Sequence, residues 1–296
     1  MRRRSSHRPR RRFADLAAPF DFRRVEPPRP LGRFVESFWY ARGTVPYTRE
    51  RIAPTGSTVG IVVLGDALLQ AADDGTGERL RATCGALIGP HDRPVVNQPT
   101  GETHAIGIVT TPVGCETVFG VAPSTIRGRV VDLCSTWSPA TRLRTELCAA
   151  DEPDRMLELV ADRVRQGLGA PPRGVERCEV ALGRLVADPT LSIAQVAADV
   201  GVGREHLGRE FTRIVGLTPR TLSRLLRMRR LLAGIDVHGA VAWRELAADL
   251  GWFDQAHLIR DFRRHTGVTP TDYIEAQRAG FTDVEAEDAA GFVPES

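Results

Sequence analysis

The sequence contains no lysine, and all 40 of its basic residues are arginine. Without lysine the chain cannot form a phosphate-binding loop of the usual type, a Schiff base or the lysine-dependent site of a protein kinase. It also lacks the Gly-x-Ser-x-Gly, Gly-x-Gly-x-x-Gly and His-Glu-x-x-His signatures, and neither Ser57 nor Ser192 lies in a nucleophile elbow. These absences predict that the chain is not an enzyme.

Long apolar segments are absent as well. No run of 18 apolar residues occurs, so no transmembrane helix is expected, and the arginine-rich start lacks the apolar region of a secretory signal. His91 and His104 stand apart without a His-x-His pattern, so neither a metal nor a cofactor is expected. We therefore expect a cytoplasmic protein without a membrane partner.

The five cysteines are scattered and form no Cys-x-x-Cys pair. An odd, dispersed set in a cytoplasmic chain predicts free thiols. A redox-sensing pair such as Cys134 with Cys148 is the alternative to small buried cysteines.

The net charge of +3 is unevenly distributed. Residues 1–30 contain 10 arginines and three acidic residues, a net charge of +7, whereas residues 281–296 contain five acidic residues and no basic one. We expect residues 1–20 to be a disordered basic tail, which either adds non-specific attraction to phosphates or is solvated without a role. Residues 277–296 are expected to be an acidic tail.

Residues 21–137 predict a small β-rich domain with flanking helices. Leu31, Phe34, Val35, Phe38 and Trp39 recur at helical spacing and predict a helix that faces the core. Apolar runs of strand length follow, separated by glycine, and residues 73–77 predict a hairpin turn. These runs are residues 58–64, 68–71, 85–88 and 105–109.

Residues 138–174 predict connecting helices and a linker. Ser138-Pro139 and Glu152-Pro153 each begin a helical pattern, and residues 167–174 have the composition of a linker. Helices at this position would also support dimerisation, which is a hypothesis.

The C-terminal third contains an internal repeat, which is the strongest signal in the chain. Four residue pairs lie 51 positions apart: Leu207 with Leu258, Phe211 with Phe262, Gly216 with Gly267 and Pro219 with Pro270. The repeat indicates two copies of one supersecondary unit.

Each copy has the pattern of a helix-turn-helix. A short apolar helix ends at Gly201 or Gly251, and a second helix follows after a tight turn. Asp254 is the expected N-cap in the second copy, and Gly203 is a weaker cap in the first. Residues 219–233 predict a linker helix about 22 Å long between the two units.

Residues 251–273 resemble the signature of the AraC-type (AraC/XylS) helix-turn-helix transcriptional regulators. The signature is written Gly, aromatic, small or polar, Asp-Gln, Ser-His, Phe, then Arg and Phe, ending Gly, Thr or Ser, Pro, Tyr. The chain departs from it at Trp252, Phe253, Ala256 and Leu258. The matching residues are Gly251, Asp254, Gln255, His257, Arg260, Phe262, Gly267, Thr269, Pro270 and Tyr273.

The resemblance implies an α+β fold with two domains. Residues 21–137 would form a β-rich, cupin-like sensor domain, residues 138–174 the connecting helices and linker, and residues 175–276 an all-α DNA-binding domain. The function implied is a sequence-specific transcription regulator, expected as an activator, that is controlled by a small-molecule effector. A ligand-independent regulator and a redox-responsive regulator that uses its cysteines are the alternatives.

The outward faces of the two second helices are the predicted DNA-binding site, which would address two adjacent major-groove segments of double-stranded DNA. Arg209 and Arg260 are expected to read bases, because arginine bidentate to guanine is the commonest specific contact. Glu205 would accept from cytosine or repel phosphate, Arg213 and Arg263 would hold phosphates, and Gln255 and His257 either pack or bind phosphates. The remaining predicted contacts are Arg204, Gly208, Thr212, Ala256 and Ile259. Beyond DNA, RNA polymerase and a second copy of the chain are the expected partners.

Overall fold

The structure is a computed structural model that describes residues 20–72, 78–281 and 290–295. Residues 1–19 of the predicted basic tail and the predicted hairpin turn at 73–77 lie outside the described residues. Within the described ranges, no helix is both long enough and apolar enough to span a bilayer.

The N-terminal domain consists mainly of antiparallel strands in two sheets. The first sheet has the strand order β1-β2-β9-β4-β7-β10, and the second has the order β11-β3-β8-β5-β6. The four strands predicted from apolar runs are confirmed as β4, β5, β7 and β9. The strands are β1 Asp21–Val25, β2 Val35–Gly43, β3 Arg49–Ile52, β4 Val59–Val63, β5 Leu68–Ala72, β6 Leu80–Ala82, β7 Gly85–Ile88, β8 Val95–Pro99, β9 Thr103–Thr110, β10 Val130–Asp132 and β11 Phe292–Glu295.

The helix predicted from residues 31–39 is wrong. Leu31–Arg33 form one turn of 3-10 helix, and Val35–Gly43 form the long strand β2. Both faces of β2 are covered: Phe38 and Tyr40 join the core beneath the helices, whereas Trp39 lines a cavity between the sheets. A strand that is buried on both faces has apolar residues at adjacent positions as well as at alternate ones. The resulting pattern can match the spacing of an apolar helix face.

The neighbouring strand accommodates Trp39 by carrying a glycine. Gly107 of β9 pairs with Trp39, and a Cβ added there would lie 1.9 Å from the indole ring. The indole therefore covers the backbone of β9, and this wall of the cavity needs glycine at position 107.

A layer of helices covers the first sheet and leads into the C-terminal domain. The predicted helical starts at Pro139 and Pro153 are confirmed within one residue by α3 and α4. The helices of this layer are α1 Cys115–Phe119, α2 Leu133–Thr136, α3 Ala140–Cys148 and α4 Pro153–Gly167. One apolar core runs from β2 through α4 into the first helix-turn-helix unit and includes Phe38, Val160, Val175, Leu207 and Leu222.

The C-terminal domain is helical, as predicted. Its helices are α5 Val175–Ala187, α6 Ile193–Asp199, α7 Arg204–Val215, α8 Pro219–Gly234, α9 Trp243–Asp249, α10 Gln255–Thr266 and α11 Pro270–Gly280. A second apolar core, which includes Trp252, Leu258, Phe262 and Tyr273, holds α8 to α11 together.

The structure departs from the predicted acidic tail over residues 277–296. Helix α11 continues to Gly280, and Phe292–Glu295 form β11, which pairs antiparallel with β3. Val293 is buried, and Glu295 accepts from Arg49 and from Arg51. The apolar residues of this segment and its ion pairs thus outweigh the acidic character that suggested a tail.

The prediction that the cysteines are free thiols is wrong for two of them. Cys84 and Cys134 form a disulfide with a Cα–Cα distance of 6.3 Å, and Cys134 is therefore not paired with Cys148. The sequence separation of 50 residues hid the pair, because the start of β7 and α2 meet only in the fold. Cys115, Cys148 and Cys178 are free, and burial raises the pKa of Cys115 to about 11.

Candidate DNA-binding surface and effector cavity

The first helix-turn-helix unit consists of α6 and α7. Ser192 caps α6 by a reciprocal pair of bonds with Gln195, which is the predicted capping box. Gly201, just after the C-terminus of α6, has a φ of 73°. This left-handed conformation is the one that glycine favours at the end of a helix. Helix α7 then buries Leu207 and Phe211 and ends at Gly216.

The second unit, α9 and α10, repeats this geometry. Gly251 has a φ of 78°, and the carboxylate of Asp254 accepts from the backbone N–H of His257 at 2.6 Å. The predicted N-cap is therefore confirmed. Phe253 lies in the turn between the helices with 93% of its surface exposed.

Helix α8 packs against both units through its apolar face, and its arginines add contacts to the second unit and to α5. Arg224 donates to Asp261 of α10, and Arg227 donates to the carbonyl of Gly251 at 2.9 Å. Arg230 donates to the carbonyl of Ala187 at the end of α5, at 2.9 Å. These contacts hold the second unit and the end of α5 against one helix.

The second helix of each unit also has an acidic residue that forms an ion pair with an arginine of a neighbouring helix. Glu210 of α7 accepts from Arg177 of α5 at 2.8 Å, and its equivalent Asp261, 51 positions later, accepts from Arg224 and from the indole N–H of Trp252. Burial alone would raise the pKa of Asp261, but the hydrogen bonds from Arg224 and Trp252 outweigh it and lower the pKa. The pairs fix the rotation of α7 and α10.

The loop between β7 and β8, residues 89–94, touches the C-terminal ends of both second helices. A Cβ on Gly216 would lie 2.5 Å from Pro90, and one on Gly267 would lie 3.1 Å from Pro94. These two glycines are equivalent in the repeat, and both have positive φ.

Asp92, at the centre of this loop, is bonded directly to α10. Its carboxylate accepts from Arg264 at 2.6 Å, and its carbonyl lies 2.8 Å from Nδ1 of His265. Desolvation opposes ionisation of Asp92, but the bond from Arg264 outweighs it and lowers the pKa of that carboxyl. The loop thus forms an ion-paired contact between the N-terminal domain and the second unit.

A cavity of about 280 Å³ lies between the two sheets of the N-terminal domain. Its wall is mostly apolar and includes Phe22, Trp39, Ile61 and Val109. His91, from the loop at 89–94, also lines it. Pockets of this kind are typical small-molecule sites.

Residues beyond the sensor domain close the cavity. Its wall includes Arg229 of α8, Phe281 just after α11, and Phe292 of β11. Arg229 and Arg24 both donate to Oε1 of Glu36, at 3.5 and 3.2 Å. The N-terminal strands, the linker helix and the last strand therefore share the wall of one cavity.

Family models match both domains. A model described as a helix-turn-helix domain matches residues 196–276. A model described as a domain of unknown function (DUF6597) matches residues 23–132. Among curated protein sequences, none matches this chain.

Solved structures with similarity to the chain include those of ToxT and of two regulators. ToxT from Vibrio cholerae O395 is 10% identical with a TM-score of 0.45, and the match covers 86% of this chain and 97% of that one. An AraC-type transcriptional regulator from Chromobacterium violaceum is 26% identical over 36% of this chain and 95% of its own, with a TM-score of 0.31. The C-terminal domain of AraT from Geobacillus stearothermophilus is 20% identical over 35% and 88%, with a TM-score of 0.32.

The C-terminal domain is an AraC-type helix-turn-helix domain. The matched residues 196–276 contain both units and the helix that joins them, in agreement with the paired geometry described above. The chain is accordingly a DNA-binding transcription regulator.

The AraC-type domain presents most of the predicted contact residues on two comparable surfaces. Several are exposed, whereas Gly208, Thr212, His257 and Ile259 are partly buried. Arg213 is exposed, but its guanidinium donates to the carbonyl of Arg173. The exposed remainder on α7 and α10 consists of Arg204, Glu205, Arg209, Gln255, Ala256, Arg260 and Arg263.

The residues that position the AraC-type domain were missed. Asp261, Arg264 and Asp92 received no role from the sequence, although Glu210 and Asp261 stand 51 apart at equivalent positions of α7 and α10. That correspondence is a detectable signal. Asp92 has no such signal, because nothing in its local sequence shows which helix will face it. Within the described ranges, no group of three or more His, Cys, Asp or Glu side chains is arranged to hold a metal.

Proposed function

We propose that the chain is an effector-controlled, sequence-specific regulator whose helices α7 and α10 enter two adjacent major-groove segments of DNA. The observation that carries the proposal is the pair Arg209 and Arg260. They are 51 positions apart, both are exposed, and each stands opposite the buried pair of leucine and phenylalanine on its own helix. Two equivalent exposed arginines at this position fit guanine readout by each unit.

The neighbouring residues fit subsidiary contacts. Arg204, Glu205, Gln255 and Ala256 occupy the first turns of α7 and α10, the ends from which recognition helices contact base edges. Arg263 lies one turn beyond Arg260 and would bind phosphate. Arg213 would have to leave the carbonyl of Arg173 in order to reach DNA, which weakens its assignment.

We further propose that the cavity holds the effector. His91 lines the cavity, and the loop that carries it contacts α10 through Asp92 and both repeat glycines through its two prolines. A molecule that displaces His91 would therefore shift the ends of both second helices. Arg229 gives a second route, because it lines the cavity and belongs to the helix that joins the units. Such a regulator would act in the cytoplasm, and its contacts with RNA polymerase and with a second copy belong to the same hypothesis.

The test of DNA recognition is selection of bound sequences from random DNA by the full-length protein at two salt concentrations. A motif with two boxes about one helical turn apart is expected. Arg209→Ala and Arg260→Ala should each cost about 1–3 kcal/mol of operator affinity and relax specificity at one base. Arg155→Ala, which removes an exposed arginine of α4, is the matched control and should leave affinity unchanged. If both test variants bind like this control, the assignment of base readers is wrong.

A redox-responsive regulator is the second candidate, and the disulfide between Cys84 and Cys134 favours it. This bond joins the residue just before β7 to α2. The loop at 89–94 follows the other end of the same strand. The test is operator affinity of the oxidised and reduced protein. Equal affinities would exclude redox control by this pair.

A further inference from the structure

The cavity contains a buried hydrogen-bond network whose direction one carboxylate determines. Glu50 accepts from the hydroxyl of Tyr47 at 2.8 Å and from Nδ2 of Asn97 at 2.9 Å. Because a carboxylate accepts and cannot donate, Asn97 has to direct its amide nitrogen to Glu50 and its oxygen to Gln70. Gln70 consequently donates through Nε2 to Oδ1 of Asn97 at 3.3 Å. The four side chains all line the cavity.

The network ends in an acceptor that lacks a donor. Gln70 is only 1% exposed, and its Oε1 has no hydrogen-bond partner among the described residues. The carboxylate of Glu50 offers about four acceptor positions, of which Tyr47 and Asn97 use two. Ser37 of β2, which lines the cavity from the other sheet and is 2% exposed, likewise has an unpartnered hydroxyl within the described part of the chain. The polar part of the cavity therefore calls for a ligand that donates hydrogen bonds.

The charges around the cavity favour a cationic donor. The hydrogen-bond partners of Glu50 are both neutral, and burial raises the pKa of this carboxyl. The two arginines in the wall, Arg24 and Arg229, already share the carboxylate of Glu36 and are largely exposed. A cation that reached Glu50 would stabilise the ionised form that burial disfavours, whereas an anion would have to compete with Glu36 for the arginines.

We propose that the cavity binds a compact apolar molecule with a protonated primary amine, which donates to Glu50 and to Oε1 of Gln70. An ammonium group offers three donors, so one such group can donate to both acceptors. The apolar part of the molecule packs against Trp39 and the neighbouring strands. The proposal rests on the proposed function, because it identifies the chemical class of the effector of the same cavity.

The test compares three probes of nearly equal size, 2-phenylethylamine, 2-phenylethanol and phenylacetate, by calorimetric titration of the full-length protein. The amine is expected to bind at least about tenfold more tightly than either of the others. Glu50→Gln should weaken amine binding by about tenfold and leave binding of the alcohol unchanged. Glu102→Gln, in an exposed ion pair with Arg42 outside the cavity, is the matched control and should bind the amine normally.

A second variant, Gln70→Met, keeps the proposal testable if Glu50→Gln fails to fold. Gln70→Met keeps the volume of the side chain but removes its free acceptor, so it should also weaken amine binding. The proposal is overturned if no amine binding is detected, if phenylacetate binds most tightly, or if Glu50→Gln and Gln70→Met both bind the amine like the wild type.

Operator affinity measured with and without the amine separates this proposal from the function on which it rests. Amine binding that leaves operator affinity unchanged would refute control through the cavity and retain the amine site. Tight binding of phenylacetate with a change in operator affinity would retain the control and refute the amine.

Discussion

The carboxylate of Asp261 offers a quantitative test of how α10 is held. Its side chain is 3% exposed and accepts from Arg224 and, at 3.1 Å, from the indole N–H of Trp252. In Asp261→Asn the amide can offer its oxygen to only one of these donors and turns an N–H towards the other. Hydrogen bonds to charged groups are worth about 1.5–3 kcal/mol each, but Arg224 is one-third exposed and can regain water. We expect a net loss of about 2 kcal/mol of stability.

The measurement is urea denaturation of the full-length protein. With a slope of about 3 kcal/mol per molar urea, the midpoint should fall by about 0.7 M at pH 7. Because the pKa of Asp261 is lowered from 3.8 in the folded state, its stabilisation is present above about pH 4 and is lost as the pH falls through the folded pKa. The difference between wild type and variant should therefore shrink in acid.

The control for this experiment is Asp199→Asn, which breaks an exposed pair with Arg184. It should cost less than about 0.5 kcal/mol. The reasoning about Asp261 fails if its variant costs no more than the control. It also fails if the difference from wild type persists undiminished at pH 3.

Two further predictions concern the sensor domain. Asp92→Asn removes the ion pair with Arg264, and a partly exposed pair of this kind is worth about 1 kcal/mol. The rate of amide hydrogen exchange at the end of α10 should therefore rise by about fivefold. Exchange at the wild-type rate would show that the pair does not hold the helix. Cys84→Ser opens a disulfide across 50 residues and should lower the free energy of unfolding by about 2–4 kcal/mol. Cys148→Ser removes an exposed free thiol and should have no effect, so equal stabilities of the two cysteine variants would contradict a stabilising bond to Cys134.

The helical domain could be predicted from the sequence because its signals are local. Gly201 and Gly251 end helices by their backbone freedom, and Ser192 and Asp254 cap helices through bonds to residues three positions away. The repeat then supplied the relation between distant parts of the chain. The exposed face of each second helix follows from the same periodicity.

The sensor domain was predicted less completely because its determinants are not local. Strand β2 is covered on both faces, so its apolar spacing resembles that of a helix. The disulfide of Cys84 and Cys134 depends on a meeting of elements that sequence spacing does not show. The cavity and its network also require strand pairing: Glu50, Gln70 and Asn97 come from β3, β5 and β8, which are adjacent only in the sheet.

The pairing of β11 with β3 gives the helical domain two attachments to the sensor domain. The chain leaves the sensor layer through the segment between α4 and α5 and returns through residues 290–295, where Tyr273 donates to the carbonyl of Ala290 at 2.9 Å. The apolar core that runs from β2 into the first helix-turn-helix unit also joins the domains, so any separation would have to break that core. Separation of the two domains would also require β11 to detach from β3 at the edge of its sheet, which would expose Val293 to water.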